Sequence, residues 1–428
     1  MTMDTGARLP LSPAQFGLWW QERRAGGQYT VTEMVDLHGL LVVPALMAAL
    51  RAVHKRHPAL RTLVGVQAGL PFQEPGAGGE LDVDVVDADG RTECGYGIAP
   101  VDLATGDCQR ARIVRFGPHW HRLIVVTHHL VTDAHSWRRV LLPQIAQAYA
   151  VELGVGALPP SPERTVADYL AWRSGLESSD DYARRCDAVS AAVAEGPDPV
   201  DPVHRNAVTV AGSTEGRSFA VAADPAAWAR RCRTEAGVSP LAVLMAASSV
   251  AAAAALRSPA PLVSCRVTDR PGPDYDDVCG MFVNAVPYRL PVGEATVGDL
   301  VSASGNASTT LLRARHAAFG DVERRHAALT GRRTLAVDAM MTYTPHDELA
   351  PRFLGLHAAP VERAPDMSFP LELSFYVVGG MLQASVYATP AVERAALDAA
   401  AARAEEFCAV ALDRPDTVLS TMVEEVLA

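Results

Sequence analysis

No tract of lysine and arginine in this sequence is long enough to follow a nucleic-acid backbone. Lys and Arg number 38 against 49 Asp and Glu, a net charge of −11, whereas nucleic-acid binding rests on clustered cations. Cysteine spacings of the CxxC or Cys/His zinc type are also missing. The seven cysteines stand apart, at Cys94, Cys108, Cys186, Cys232, Cys265, Cys279 and Cys408, an odd number with no disulfide framework. The opening MTMDTGARLPLSPAQ lacks the charged-then-apolar layout of a signal peptide. The longest apolar run, Pro240 to Leu256, is dominated by Ala and falls short of the roughly 20 residues a membrane span needs. It reads as a buried core helix. There is no HExxH zinc motif, no GxSxG nucleophile elbow, no repeat and no low-complexity tail. These absences point to a soluble, reduced, cytoplasmic protein that binds neither nucleic acid nor membrane.

What is present is a chain of 428 residues, 49% of them hydrophobic, ample for two or three cores. Helical and strand periodicities alternate, which predicts a mixed α/β architecture. PALMAALRAVHKRHPAL sets Pro44 at a first helical position with Leu46, Ala49, Leu50 and Val53 on one stripe. SWRRVLLPQIAQAYAVEL predicts a second helix, capped by Ser136 and kinked at Pro143. Between them ARIVRF, Gly117-Pro118 and HWHRLIVVTHH predict a hairpin. LAVDAMMTYT predicts a strand, and LELSFYV with MLQASVYA a hairpin about Gly379-Gly380. The polar, Pro- and Asp-containing stretch 174–205 marks a boundary between domains at 1–175 and 176–428.

The stretch HHLVTDAHSW, His128 to Trp137, admits three readings. As a metal site it joins His119, His121, His128, His129, Asp133 and His135. Yet His121 and His128 are about 23 Å apart on one strand at about 3.3 Å per residue, and the adjacent pair point to opposite faces. No facial-triad spacing supports the remainder, and no metal is expected. As core, His128 packs under the sheet and His129 bonds to backbone. As an acid–base centre, one imidazole at the carboxyl end of a strand faces a reactant, with Asp133 ordering the turn.

The residues resemble the condensation domains of nonribosomal peptide synthetases, in the chloramphenicol acetyltransferase-like superfamily defined by HHxxxDG, written here His128-His129-Leu130-Val131-Thr132-Asp133-Ala134. LSPAQFGLWW is similar to SxAQxRLW through Ser12, Gln15 and Trp19. RHPALRTLV is similar to RHExLRTxF through Arg56, His57, Leu60, Arg61 and Thr62. VADYLAW carries Asp168, Tyr169 and Trp172 of YxDYAxW, and GMFVNAVPYRL carries Gly280, Phe282, Val283, Asn284 and Arg289 of GxFVNTxxxR. Arg270 stands fourteen residues before Asn284. The departures are Ala134 for the motif glycine, Gly17 for the usual arginine, a reduced HAAFGDVE segment from His316, and no recognisable RDxSRNPLFQ. HHLVTDAHSWRRVL also looks like the related epimerization domains.

The resemblance implies two acetyltransferase-like lobes in a V-shaped pseudo-dimer, with a channel between them and His129 at its centre as the catalytic residue. His128, Asp133 and Arg270 are then structural, the last two as an ion pair, and Ala134, His135, Trp137 and Asn284 line the channel. Arg289 belongs to the architecture around it, and Gln15, Trp19 and Arg61 to the first lobe. The implied function is a free-standing condensation enzyme forming an amide or ester in natural-product biosynthesis. Its donor is an acyl or aminoacyl thioester on a carrier protein in trans, since no adenylation segment or carrier motif is found. No covalently bound cofactor is expected; 4′-phosphopantetheine comes on the carrier, or coenzyme A replaces it. The acceptor is a small molecule or a carrier-bound nucleophile, and the protein is expected to be a monomer. A coenzyme A-dependent acyltransferase, an epimerization-type domain and a non-catalytic recruitment domain remain the alternatives. Arg138-Arg139, Arg324-Arg325 and Arg332-Arg333 are either docking points for an acidic carrier or solvated surface.

Overall fold

The computed structural model describes residues 8–25, 28–88, 98–196, 214–293, 295–332, 334–347, 352–361 and 369–420. Cys94, Arg333 and the 197–205 part of the expected boundary lie outside them. The chain divides into two compact units. The first is Met1–Leu176 with Arg270–Phe282 and Leu349–Arg363; the second holds the rest. Two segments distant in sequence thus pack with the N-terminal unit.

The described elements of the first unit run β1 (Leu9–Pro10), α1 (Pro13–Ala25), β2 (Thr30–His38), α2 (Val43–Arg56), β3 (Leu63–Gln67), β4 (Leu70–Glu74), β5 (Asp82–Asp87), β6 (Gln109–Gly117), β7 (Trp120–His128), α3 (Leu142–Glu152) and α4 (Val166–Glu177). A small sheet is ordered β1-β4-β3. The main sheet is ordered β12-β2-β7-β6-β5, where β12 (His357–Pro360) is supplied by the 349–363 segment. The expected β6–β7 hairpin is present and antiparallel. Alternation along these strands sends Val35, Leu37, Ala111, Ile113, Leu123 and Val125 to one face, where they pack on Leu46, Leu50 and Val53 of α2 and Ile145 and Tyr149 of α3. Such burial contributes roughly 25 cal/mol for each Å² of apolar surface removed from water.

The second expected helix differs at its start. Ser136 does not cap it. Asp133 does, by accepting the Ser136 amide at 2.7 Å, so the helix begins at Ala134. Its next turn, Ser136–Leu141, is π-helical, and the Leu142 amide reaches back to the Trp137 carbonyl. The kink expected at Pro143 is replaced by this wide turn. Pro143 directly follows this wide turn, the kind of local irregularity that accommodates a ring without an N–H inside a continuous helix.

The second unit contains α5 (Asp180–Ala192), β8 (Glu215–Ala222), α6 (Pro225–Glu235), α7 (Pro240–Leu256), β9 (Leu262–Thr268), β10 (Val283–Arg289), α8 (Val297–Arg313), α9 (Phe319–Thr330), β11 (Ala339–Asp347), β13 (Leu371–Val378), β14 (Met381–Ala388) and α10 (Arg394–Val410). Its sheet is ordered β10-β9-β11-β13-β14-β8, with β11 parallel to both β9 and β13. The expected β13–β14 hairpin turns on Gly379 and Gly380 at φ +57° and +76°, the backbone of a type I′ turn. α7 is the expected core helix: Ser239 caps it, and every residue from Ala242 to Ala254 is buried. Among the described residues no single helix is long and apolar enough to cross a membrane; only the bent α6–α7 pair passes, by length and composition alone. The stretch read as a polar boundary holds α5, which buries Tyr182, Cys186 and Val189 behind a Ser179 cap. Its apolar stripe is short and diluted by five charged residues.

Candidate active site

β7 delivers two adjacent histidines to the edge of its sheet. The His128 amide bonds to the Cys108 carbonyl at 2.9 Å and the His129 amide to the Tyr29 carbonyl at 2.7 Å. The chain therefore stays in register through His129 before a short 3-10 turn, His129–Val131. The pleat turns the two side chains apart, and their environments differ. His128 is 2% exposed. Its Nδ1 accepts the Leu130 amide at 3.2 Å, so its proton sits on Nε2, 3.2 Å from Glu22 Oε1. His129 is only half-buried. Its Nδ1 lies 3.0 Å from the Thr132 carbonyl, an acceptor only, so the proton sits on Nδ1 and the basic lone pair on Nε2. The neighbours hold opposite tautomers.

Helix α1 packs against this turn. Leu18 and Trp19 join Leu130, Val131 and Cys108 in a small apolar cluster. Buried Gln15 donates to the Leu130 carbonyl at 2.9 Å and bonds Gln73. Gln15 and Trp19 thus pack the first unit, and Gln15 also fixes the residue after His129.

Asp133 makes no recorded bond to either imidazole. One carboxylate oxygen accepts the Ser136 amide at 2.7 Å and Arg270 Nη2 at 3.4 Å; the other accepts the Phe282 amide at 2.9 Å. Arg270 is 4% exposed. It also donates to the Tyr275 and Val278 carbonyls and the Ser136 hydroxyl, and its guanidinium lies 4.3 Å over the Phe282 ring. The Ser136 hydroxyl donates to the Gly280 carbonyl at 2.8 Å. These bonds compensate a buried charge pair that burial alone would penalise. Since 270–282 packs in the first unit, the pair is internal to that unit. Phe282 in turn meets Tyr169 edge to ring, centroids 4.8 Å apart, and Thr165 with Asp168 caps α4.

The other expected residues fall as follows. Ala134 is exposed and helical, and it is not among the positive-φ residues. Alanine there therefore carries no backbone strain. His135 bonds the Asp276 carbonyl at 2.8 Å. Trp137 does not line a channel: it is 4% exposed and packs in the core with residues of α2 and α3, in a helix that starts three residues earlier than a Ser136 cap implies. Asn284, in the second unit, commits its amide to the Arg315 and Ala317 carbonyls at 2.8 and 2.7 Å, so it ties backbone. Arg61 bonds the Gly76 and Lys55 carbonyls, and His57 the Gln144 side chain at 2.9 Å. Arg324 and Arg325 pair with Asp321 and Asp187, as solvated surface does.

Among the described residues no three His, Cys, Asp or Glu gather closely enough to hold a metal. The six described cysteines are buried. Burial pushes the Cys108 thiol up to about 12 and raises that of Cys279, behind the turn, as well, so neither supplies a thiolate nucleophile. A small cavity bordered by Gln15, Gln73, Val131, Gly280, Met281 and Phe282 does not include His129. Sequence reasoning missed Glu22, Tyr29 and Thr132. The first had a signal: Gln15 and Glu22 are seven residues apart, two turns along one helix face.

A half-buried imidazole at a strand end, its tautomer fixed by a backbone carbonyl and its turn backed by a buried Asp–Arg pair, is a layout suited to acid–base chemistry within a mixed α/β fold. The chain belongs to the condensation-domain family: the family model "Condensation domain" matches residues 7–424. That family forms amide bonds by condensation in nonribosomal peptide synthesis. The chain is 31% identical over 299 residues to the probable non-canonical nonribosomal peptide synthetase CymA of Salinispora arenicola (strain CNS-205), covering 67% of this chain and 4% of that protein. It spans a small part of the length of the curated relatives it matches. Among solved structures it is similar to a mutant starter condensation domain of rhizomide synthetase RzmA in complex with C8-CoA (TM-score 0.79, 18% identity, 97% of each chain). The SgcC5 protein from Streptomyces globisporus is also similar (TM-score 0.75, 19% identity, 96% of this chain and 100% of that one). These likenesses establish the fold expected from the motifs.

Proposed function

We propose that this chain is a free-standing condensation enzyme. It transfers an acyl or aminoacyl group from a phosphopantetheine thioester on a separate carrier protein to an amine or hydroxyl acceptor. The observation that carries the proposal is His129: half-exposed, with Nδ1 tied to the Thr132 carbonyl at 3.0 Å and its basic lone pair on Nε2. The acceptor's nitrogen or oxygen attacks the thioester carbonyl. His129 Nε2 takes the proton the nucleophile loses, the tetrahedral species collapses, and the sulfur leaves as thiolate and recovers that proton. A placed base contributes about 10²–10⁴-fold to such a step. Holding donor and acceptor together contributes several kcal/mol more. An alcohol, the weaker nucleophile, depends on the base more than an amine does. Arg270 and Asp133 hold the turn and touch no reacting atom.

The likeness to a domain crystallised with C8-CoA favours a coenzyme A thioester as the second reading. The test gives the purified protein octanoyl and alanyl groups as carrier-protein and as coenzyme A thioesters, with a panel of amines and alcohols. Product is followed by mass spectrometry. Turnover at least tenfold faster from the carrier supports the first reading, and equal turnover the second. Deuterium exchange at the alanyl α-carbon without product marks an epimerization-type activity. Neither product nor exchange, with any pair, sinks acyl transfer.

A further inference from the structure

Three contacts from one side converge on the turn that presents His129. Gln15 holds the Leu130 carbonyl. Glu22, seven residues further along α1, meets two groups with the same oxygen, Oε1: it accepts the Tyr29 amide at 2.6 Å and lies 3.2 Å from His128 Nε2. The Tyr29 carbonyl then accepts the His129 amide at 2.7 Å. One carboxylate oxygen thus grips the residue before His129 through its ring, and His129 itself through one intervening peptide.

We propose that Glu22 is a positioning residue for His129, acting by fixing the tautomer of His128 and the backbone of Tyr29. The logic is one of forced hydrogen-bond direction. The Glu22 oxygen is an acceptor, so it draws the His128 proton to Nε2. His128 Nδ1 is then an acceptor and can receive the Leu130 amide, which closes the 3-10 turn. That turn sets the Thr132 carbonyl where it receives the His129 Nδ1–H and leaves Nε2 basic. Without the Glu22 acceptor, His128 is free to protonate on Nδ1, which sets two donors facing one another at the Leu130 amide and loosens the turn. His129 then loses its preference for the Nδ1–H form, and with it the base. The positioning role rests on the acyl-transfer reading, but the tautomers are measurable without any substrate.

Both Glu22 bonds run to one oxygen, so an amide oxygen can replace it. The experiment labels the full chain with ¹⁵N-histidine and reads ring tautomers by long-range ¹H–¹⁵N correlation in wild type, Glu22→Gln and Glu22→Met. Methionine keeps the length and helix propensity and removes the acceptor. Wild type is expected to show the assigned His128 ring as Nε2–H and the assigned His129 ring as Nδ1–H, and Glu22→Gln to match it. Glu22→Met is expected to lose both pure tautomers while its circular dichroism stays native. Unchanged tautomers in Glu22→Met overturn the proposal. So does their loss in Glu22→Gln, which assigns the effect to charge; that arm stands even if the methionine variant fails to fold. The expected spectra with no acyl transfer from any thioester remove the functional reading and leave the positioning intact.

Discussion

Each unit holds a histidine that looks equipped for proton transfer, and the better-equipped one by residue type is the less suited. In the second unit His316 Nδ1 lies 2.6 Å from Asp269, and Arg315 Nε donates to its Nε2 at 2.9 Å. Histidine and aspartate are 6% and 2% exposed. In the first unit His129 is oriented by a backbone carbonyl and remains half-buried. A His–carboxylate dyad is the familiar sign of acid–base chemistry, but a proton can be passed only by a nitrogen that a reactant reaches. His316 has both ring nitrogens engaged inside the unit, which is how a buried polar group is kept satisfied. The carbonyl of Thr132 does for His129 what a carboxylate does elsewhere: it fixes the tautomer.

The sharpest way to break this contrast is to truncate both rings. His129→Ala is expected to lower the rate of acyl transfer about 10²–10⁴-fold and to change folding stability by about 1 kcal/mol or less. His316→Ala removes a hydrogen-bond partner of a buried carboxylate and is expected to cost about 1–3 kcal/mol of stability. Initial rates and urea midpoints on both variants decide it. If His316→Ala loses rate at unchanged stability, or His129→Ala unfolds the protein at unchanged rate, the assignment is reversed.

The same contrast explains how much the sequence made visible. His129 was legible because a strand period ends in HH ahead of a helix pattern, and because the motif puts Asp133 and Arg270 at known spacing. Hairpins at 109–128 and 371–388 and the core helix at 240–256 were legible from alternation and from unbroken apolarity. What was not legible turned on hydrogen-bond direction. Ser136 and Asp133 are both good cap residues, and only the carboxylate's other bonds, to Arg270 and Phe282, decide between them. That choice moved the helix start. Glu22 carried only its seven-residue spacing from Gln15 as a signal, since the sequence does not show which group an acidic residue on a helix meets. The return of 270–282 and 349–363 to the first unit has no local signature at all.

A smaller effect separates buried from exposed imidazoles by pH. His54 and His57 are 4% and 2% exposed, and loss of water lowers both below the ordinary 6.5. The unfolded chain therefore takes up protons first as pH falls through about 6.5. Stability is full above that pH and declines below it, toward the lowered folded-state values. Urea midpoints at pH 7.5, 6.5 and 5.5 are expected to fall in that order, and His57→Gln to flatten the decline while lowering the midpoint at pH 7.5. A midpoint that rises toward pH 5.5 contradicts the neutral, desolvated state of these rings.

The smallest effect compares two hairpin turns. At Gly379-Gly380 both positive φ angles fall on glycine, whereas the β3–β4 turn places Ala68 at φ 51° ahead of Gly69 at φ 82°. An L-residue with a Cβ pays about 1–2 kcal/mol in the left-handed region, from which asparagine is partly exempt. Asn-Gly is also the preferred type I′ pair. This is why the β3–β4 hairpin carried no turn signal in the sequence: alanine stands where asparagine or glycine is expected. The turn is exposed at Gln67 and Leu70 and lies apart from the His129 bonds. Ala68→Asn is therefore expected to raise stability by about 0.5–1 kcal/mol with acyl transfer unchanged. A urea midpoint equal to or below wild type would show that the turn does not hold Ala68 in that conformation in solution. A gain confined to this hairpin, beside no gain for Gly379→Asn, would confirm that the strain is local to the alanine.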